Sequence, residues 1–143
     1  TIKTEPATET GKRILIIEDE ISLLRTIAFT LRRKKFNVVT ADHGTRALEI
    51  IEKYAEAERN FDLIITDIQL PGVSGLDLID RVNQLKTGTP VLVITNYGTR
   101  ELVIELMRKG CVDYLDKPFS TQSLINRISL LLEEKNFNGG NTL

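Results

Sequence analysis

One cysteine and one histidine in 143 residues exclude a disulfide framework and any metal site built on several Cys or His side chains. No apolar run approaches the ~18–20 residues that a membrane-spanning helix needs, so insertion into a bilayer is not expected. Charge of one sign is also missing: 19 Lys and Arg stand against 20 Asp and Glu, a net of −1. That balance gives no reason for the domain to coat nucleic acid or anionic lipid. What is present is ordinary for a globular protein, with 41% hydrophobic and 27% charged residues. The length predicts one domain, able to bury roughly two thirds of its unfolded surface. A cytoplasmic location is the natural expectation.

Both ends differ from the middle. Residues 1–12 are polar, carry Pro6 and Gly11, and lack the apolar core of a signal peptide, so they read as a flexible linker. Residues 136–143, with Gly139 and Gly140, read as a disordered tail, leaving 13–135 as the folded domain. Within it, short β-branched runs alternate with amphipathic ones. Strands are expected at Arg13–Ile17, Phe36–Thr40, Phe61–Thr66, Pro90–Thr95 and Cys111–Asp116. Helices are expected at Ile21–Lys35, Gly44–Ala57, about Ser74–Lys86, Thr99–Lys109 and about Ser120–Lys135. Leu24, Ile27, Ala28 and Leu31 share one face of the first helix, and Ala47, Leu48, Ile51 and Ala55 one face of the second. Five βα units predict an α/β, doubly wound, five-stranded parallel sheet with helices on both faces.

In such sheets ligands sit beyond the carboxyl ends of the strands. The first strand delivers Glu18 and Asp19 there, the third Asp67, the fourth Thr95 and the fifth Lys117. Singly, each has an ordinary reading: a helix-capping acid, a strand-end Thr, a surface Lys before Pro118. Together on one rim they form a chemical set. Three close carboxylates repel unless a cation neutralises them, and oxygen ligands favour Mg²⁺ or Mn²⁺. With a metal and Lys117 sharing the charge, Asp67 becomes a reasonable nucleophile toward a phosphoryl group, and Thr95 offers it a hydroxyl.

The motif Ile14-Leu15-Ile16-Ile17-Glu18-Asp19-Glu20 resembles the acidic-pair strand of the receiver domains of two-component response regulators. Asp62 to Gly75 resembles that family's phosphoacceptor strand and loop. Val93-Ile94-Thr95 and Asp113-Tyr114-Leu115-Asp116-Lys117-Pro118-Phe119 are similar to its fourth and fifth strand ends. The resemblance covers about Arg13 to Glu134. It implies a sheet order of 2-1-3-4-5 and phosphorylation of Asp67 by a histidine kinase or histidine phosphotransfer protein. It also implies direct Mg²⁺ ligation by Asp19, a water-mediated role for Glu18, and a backbone-carbonyl ligand at Gln69. Thr95 and Lys117 would hold the phosphoryl group, Lys117–Pro118 would be cis, and Tyr114 would be the switch aromatic that follows Thr95.

The chain departs from the family in places. The acidic pair is Glu-Asp where Asp-Asp is also common. Asn96 stands where a small residue is usual, which narrows access to the site. Gln69 and Tyr97 occupy positions that in the family influence phosphoryl lifetime, and Tyr97 is expected to screen the acyl phosphate from water. The family commonly signals through its fourth helix, fifth strand and fifth helix. Leu102, Val103, Ile104, Leu106 and Met107 cover about 200° of the fourth helix, so Val103 or Leu106 is expected to face a partner unless the helix sinks deeper. Val112 and Gln122 replace charges of a dimerising subfamily, although Asp113 and Arg127 are retained, so that particular dimer is not expected. Some phosphorylation-dependent dimer stays open. No helix-turn-helix follows in this sequence, so the output domain or effector is expected outside it, with no nucleic-acid contact by this domain. His43 reads as a solvated residue before the second helix, and Cys111 as a small buried hydrophobe.

Three rival readings are weaker. A phosphatase of the haloacid dehalogenase type needs a second Asp two residues after the nucleophile, where Gln69 stands, and room for a cap domain. A flavodoxin-like carrier needs a hydroxyl- or Gly-rich phosphate loop where Glu18-Asp19-Glu20 would repel a phosphate. A receiver used purely as an interaction module has no need of Asp19, Asp67, Thr95 and Lys117 together. Catalysis is therefore expected to stop at self-phosphorylation and slow loss of phosphate to water.

Overall fold

The computed structural model describes residues 11–96 and 98–138. Strands β1 (Arg13–Ile17), β2 (Asn37–Ala41), β3 (Leu63–Asp67), β4 (Val91–Thr95) and β5 (Asp113–Asp116) alternate with helices α1 (Ile21–Arg33), α2 (Gly44–Glu56), α3 (Gly75–Leu85), α4 (Arg100–Arg108) and α5 (Thr121–Asn138). All strand pairs are parallel, in the order β2-β1-β3-β4-β5 expected from the sequence.

Alternation along the strands builds two cores. Ile14, Ile16, Leu63, Ile65, Leu92 and Ile94 point to one face and pack beneath α1 and α5. Leu15, Ile17, Ile64, Val91 and Val93 point to the other and pack beneath α2, α3 and α4. Every residue of β3 and β4 is buried, as a sheet covered on both sides requires. Leu24, Ile27, Ala28 and Leu31 of α1 are all buried as expected.

Other details shift. The buried stripe of α2 runs through Ala47, Ile50, Ile51 and Tyr54, because Tyr54 turns in to stack on Phe61 with ring centroids 4.6 Å apart. Ala55 is left at the margin. On α4, Leu106 is fully buried and Val103 half-buried, while Ile104 and Met107 face outward, at 42% and 45% exposure. The expectation that Val103 or Leu106 faces out thus fails for Leu106. This short helix meets the sheet along a narrow line through Leu102 and Leu106, and the far side of its apolar band stays uncovered. The last helix runs through Asn138, three residues past Lys135, so residues 136–138 of the expected tail are helical. The linker expected at 1–12 and the tail at 136–143 otherwise lie outside the described residues.

Helix starts are specified locally. Ser74 accepts from the backbone N–H of Asp77, Thr99 from that of Leu102, and His43 Nδ1 from that of Arg46. His43 is therefore a capping group as well as an exposed one. Cys111 is buried, and burial pushes its thiol up to about 11.

Candidate functional site

Parallel pairing sets Ile17 beside Thr66, Asp67 beside Ile94, and Thr95 beside Asp116. The residues that follow β1, end β3 and β4, and follow β5 therefore arrive at one rim. Ligand oxygens of Glu18, Asp19 and Asp67 all lie within 4.8 Å of one another. Glu18 and Asp67 are buried, at 0% and 4% exposure, whereas Asp19 faces solvent.

Lys117 holds this cluster together. Its Nζ lies 2.7 Å from Asp67 Oδ2, donating a hydrogen bond, and 2.7 Å from Glu18 Oε1 as an ion pair. Burial alone would lower the Lys117 pKa, but the contacts with Asp67 and Glu18 outweigh it and raise it above 10.5, keeping the ammonium charged. Glu18 moves the opposite way for a carboxylate: burial raises it above 4.5 despite Lys117. The Lys117 backbone N–H donates to Thr95 O at 2.7 Å, and the Lys117–Pro118 peptide is cis, as the resemblance implied.

The backbone completes the frame. Glu18 Oε2 accepts from the Glu20 N–H at 2.9 Å, and Asp67 Oδ1 from the Gln69 N–H at 3.2 Å. Thr66 Oγ1 donates to Asp67 O at 2.8 Å. Glu18 Oε1, fully buried, has no hydrogen bond of its own. A buried carboxylate oxygen left with an ion pair alone, amid two further carboxylates, fits a divalent cation with hard oxygen ligands.

Thr95 is buried at the rim, and Asn96 next to it is exposed. Tyr97 lies outside the described residues. Tyr114 is half-buried and packs on the core beneath α4. Gln69 is exposed, with its backbone in the loop beside Asp67.

Sequence reasoning did not single out two glycines that shape the rim. A Cβ on Gly75 would sit 2.2 Å from the Asp67 carbonyl oxygen, so only glycine lets α3 begin so close to the end of β3. A Cβ on Gly98 would meet Asp116 Oδ1 at 2.4 Å and Tyr114 at 3.1 Å. Gly75 closes the quoted loop motif and was visible there; nothing near Gly98 marked its closeness to β5.

Comparison with known proteins agrees with this geometry. The family model described as response regulator receiver domain matches residues 14–129. The cell cycle transcriptional regulator CtrA of Caulobacter vibrioides is 31% identical over 116 residues, 81% of this chain and 48% of that protein. The response regulator protein PilR of Pseudomonas aeruginosa is 33% identical over 125 residues, 87% of this chain and 27% of its own. The chain thus spans less than half the length of these curated relatives. Among solved structures, a CheY-like receiver domain protein of Methanospirillum hungatei superposes with a TM-score of 0.80 at 27% identity, covering 89% of this chain and 98% of that one. A receiver domain protein of Clostridium thermocellum gives 0.76 at 30% identity, covering 88% and 98%.

Proposed function

The chain belongs to the response regulator receiver domain family, and from that premise we propose that Asp67 accepts a phosphoryl group from a phosphohistidine. The donor would be a histidine kinase or a histidine phosphotransfer protein. The observation that carries this reading is the contact of one ammonium, Lys117 Nζ, with the two buried carboxylates Asp67 and Glu18 at the sheet's carboxyl rim.

Mg²⁺ or Mn²⁺ held by Glu18, Asp19, Asp67 and the Gln69 carbonyl would supply charge neutralisation on the transferring phosphoryl oxygens. The chain's own groups do the rest. Lys117 restrains one Asp67 oxygen and the Gln69 N–H the other, fixing the carboxylate plane before the donor arrives. An Asp67 oxygen forms the bond to phosphorus as the bond to the histidine nitrogen breaks, and the ring nitrogen keeps the electron pair and takes up a proton. Lys117 then pairs with the new phosphoryl group, and the Thr95 hydroxyl donates to it. Glu18, buried and tied to the Glu20 N–H, holds the acidic floor in place. Tyr114 lies two residues before Asp116, the strand position beside Thr95, which suits it to report Thr95 movement toward α4, β5 and α5.

The same reading makes Asn96 and Gln69 screens on access, and Tyr97 the residue that sets how long the acyl phosphate lasts. Catalysis by this domain extends only to its own phosphorylation and dephosphorylation. An output domain or effector would read the α4–β5–α5 face, where Arg127 already pairs with Asp113 at 2.5 Å within the domain. That internal pairing takes up two charges otherwise available to a dimer.

Intact mass after incubation with a small amidophosphate or acyl phosphate donor tests the proposal. One phosphoryl group is expected, requiring Mg²⁺ and absent in Asp67→Asn. No gain in a folded parent protein with metal present would overturn it.

A further inference from the structure

Thr66 stands one residue before Asp67 and is buried, at 1% exposure. Ile17 of β1 lies beside it on one side and Val93 of β4 on the other. Alternation along β3 turns it, like Ile64, to the face that α2, α3 and α4 cover. Valine would fill the same space among these apolar neighbours without burying a hydroxyl, so the hydroxyl needs a partner. It has one: Thr66 Oγ1 donates to the carbonyl oxygen of Asp67 at 2.8 Å.

The same oxygen is also hemmed in by α3, whose first residue, Gly75, has no room for a Cβ beside it. The peptide that joins Asp67 to Ile68 is therefore held between a hydroxyl and a helix start. Residues 68–74 follow and are tied down in turn. The Gly75 N–H donates to Ile68 O at 2.9 Å, and the Gly44 N–H donates to Pro71 O at 2.9 Å. Both of those ties are backbone to backbone. Thr66 adds one that depends on a single side chain, at the point where the loop leaves the carboxylate.

We propose that Thr66 is a positioning residue for phosphoryl uptake, one whose hydroxyl sets the peptide plane after Asp67 and so keeps the carboxylate in one orientation. The Gln69 N–H meets Asp67 Oδ1 only two residues beyond the pinned carbonyl, while Lys117 takes Oδ2. Rotation of the pinned peptide would carry the Gln69 N–H off the carboxylate and free one of its two oxygens. A carboxylate ordered before the donor arrives reacts faster, without the fold being any more stable for it. This role rests on Asp67 being the phosphoacceptor.

Two variants of the full chain separate the hydroxyl from the methyl: Thr66→Val keeps the shape and loses the donor, and Thr66→Ser keeps the donor and loses the methyl. Each is compared with the parent in thermal midpoint, in the rate of phosphoryl uptake from a small amidophosphate at saturating Mg²⁺, and in hydrogen exchange at the Gln69 amide. Thr66→Val should take up the phosphoryl group about tenfold more slowly, and its Gln69 amide should exchange about tenfold faster. Thr66→Ser should melt below Thr66→Val, having lost buried apolar surface, yet stay within about twofold of the parent in both rates. Stability and uptake then rank the two variants in opposite orders, which a role in packing alone would not produce. Parental uptake and exchange in Thr66→Val would overturn the proposal, as would equal slowing in the two variants. A folded parent that takes up no phosphoryl group would refute the phosphoacceptor reading instead. Exchange at Gln69 still judges Thr66 in that case: faster in Thr66→Val and parental in Thr66→Ser supports its ordering role, and no difference overturns it.

Discussion

Glu18 is the residue with the most conflicted position. Its carboxylate has no exposed surface, its Oε1 lacks a hydrogen bond, and burial raises its pKa above 4.5. A carboxylate with a raised folded pKa favours folding while protonated, so its contribution is complete below 4.5 and declines as pH rises through the folded value. Glu18→Gln should therefore raise the thermal midpoint of metal-free protein at neutral pH, with the gain shrinking as pH falls toward 4.5. Added Mg²⁺ should stabilise the parent more than the variant, and calorimetry across pH checks both statements. Cys111 follows the same sign. Its thiol form is favoured up to about 11 against 9.0 unfolded, so stability should fall between those values, and Cys111→Ala should flatten that decline. Gly75→Ala would drive a methyl onto the Asp67 carbonyl, and should slow phosphoryl uptake as well as lower stability. For Tyr97, Tyr97→Ala should shorten the half-life of the phosphorylated form; an equal or longer half-life would refute its screening role.

At the scale of the element, the sequence was most legible where periodicity and chemistry coincide. The double apolarity of β3 and β4 and the stripe of α1 were readable because each buries whole side chains in a repeating pattern. Boundaries were less so. Phe36 and Phe61 read as strand residues by composition, yet pairing with β1 begins at Asn37 on one side and Leu63 on the other. Burial of these aromatics comes from packing, which no strand pattern encodes. The face of α4 was misread because five apolar residues in one turn and a half give no unique phase; only contact with the sheet selects Leu106. Leu106→Ala should accordingly cost about 2–5 kcal/mol, while Ile104→Ala and Met107→Ala should each stay within about 0.5 kcal/mol. Thr99→Ala, which removes the α4 cap, should cost about 1 kcal/mol. Denaturant unfolding of the four variants separates these expectations.

Across the whole molecule, the site exists only because parallel order brings four distant segments to one rim. Glu18, Asp67, Thr95 and Lys117 were nameable from sequence, since each follows or ends a strand and the topology fixes where strand ends go. The sharing of Lys117 between two carboxylates, the full burial of the Glu18 oxygen that this ion pair holds and the close approach of Gly98 to β5 were not, because they depend on side-chain geometry across the sheet. The exposure of Phe29 on α1 was invisible for a related reason: charge can be counted along the chain, but which aromatic is left in solvent depends on packing. The central claim is that the bond to phosphorus forms at Asp67 and nowhere else. Borohydride reduction of the phosphorylated protein converts an acyl phosphate to an alcohol, and peptide mass spectrometry then locates it. The account predicts homoserine at position 67 alone, formed only after incubation with donor and Mg²⁺. Reduction product at another carboxylate, or stable phosphate on a hydroxyl with residue 67 unchanged, would contradict it.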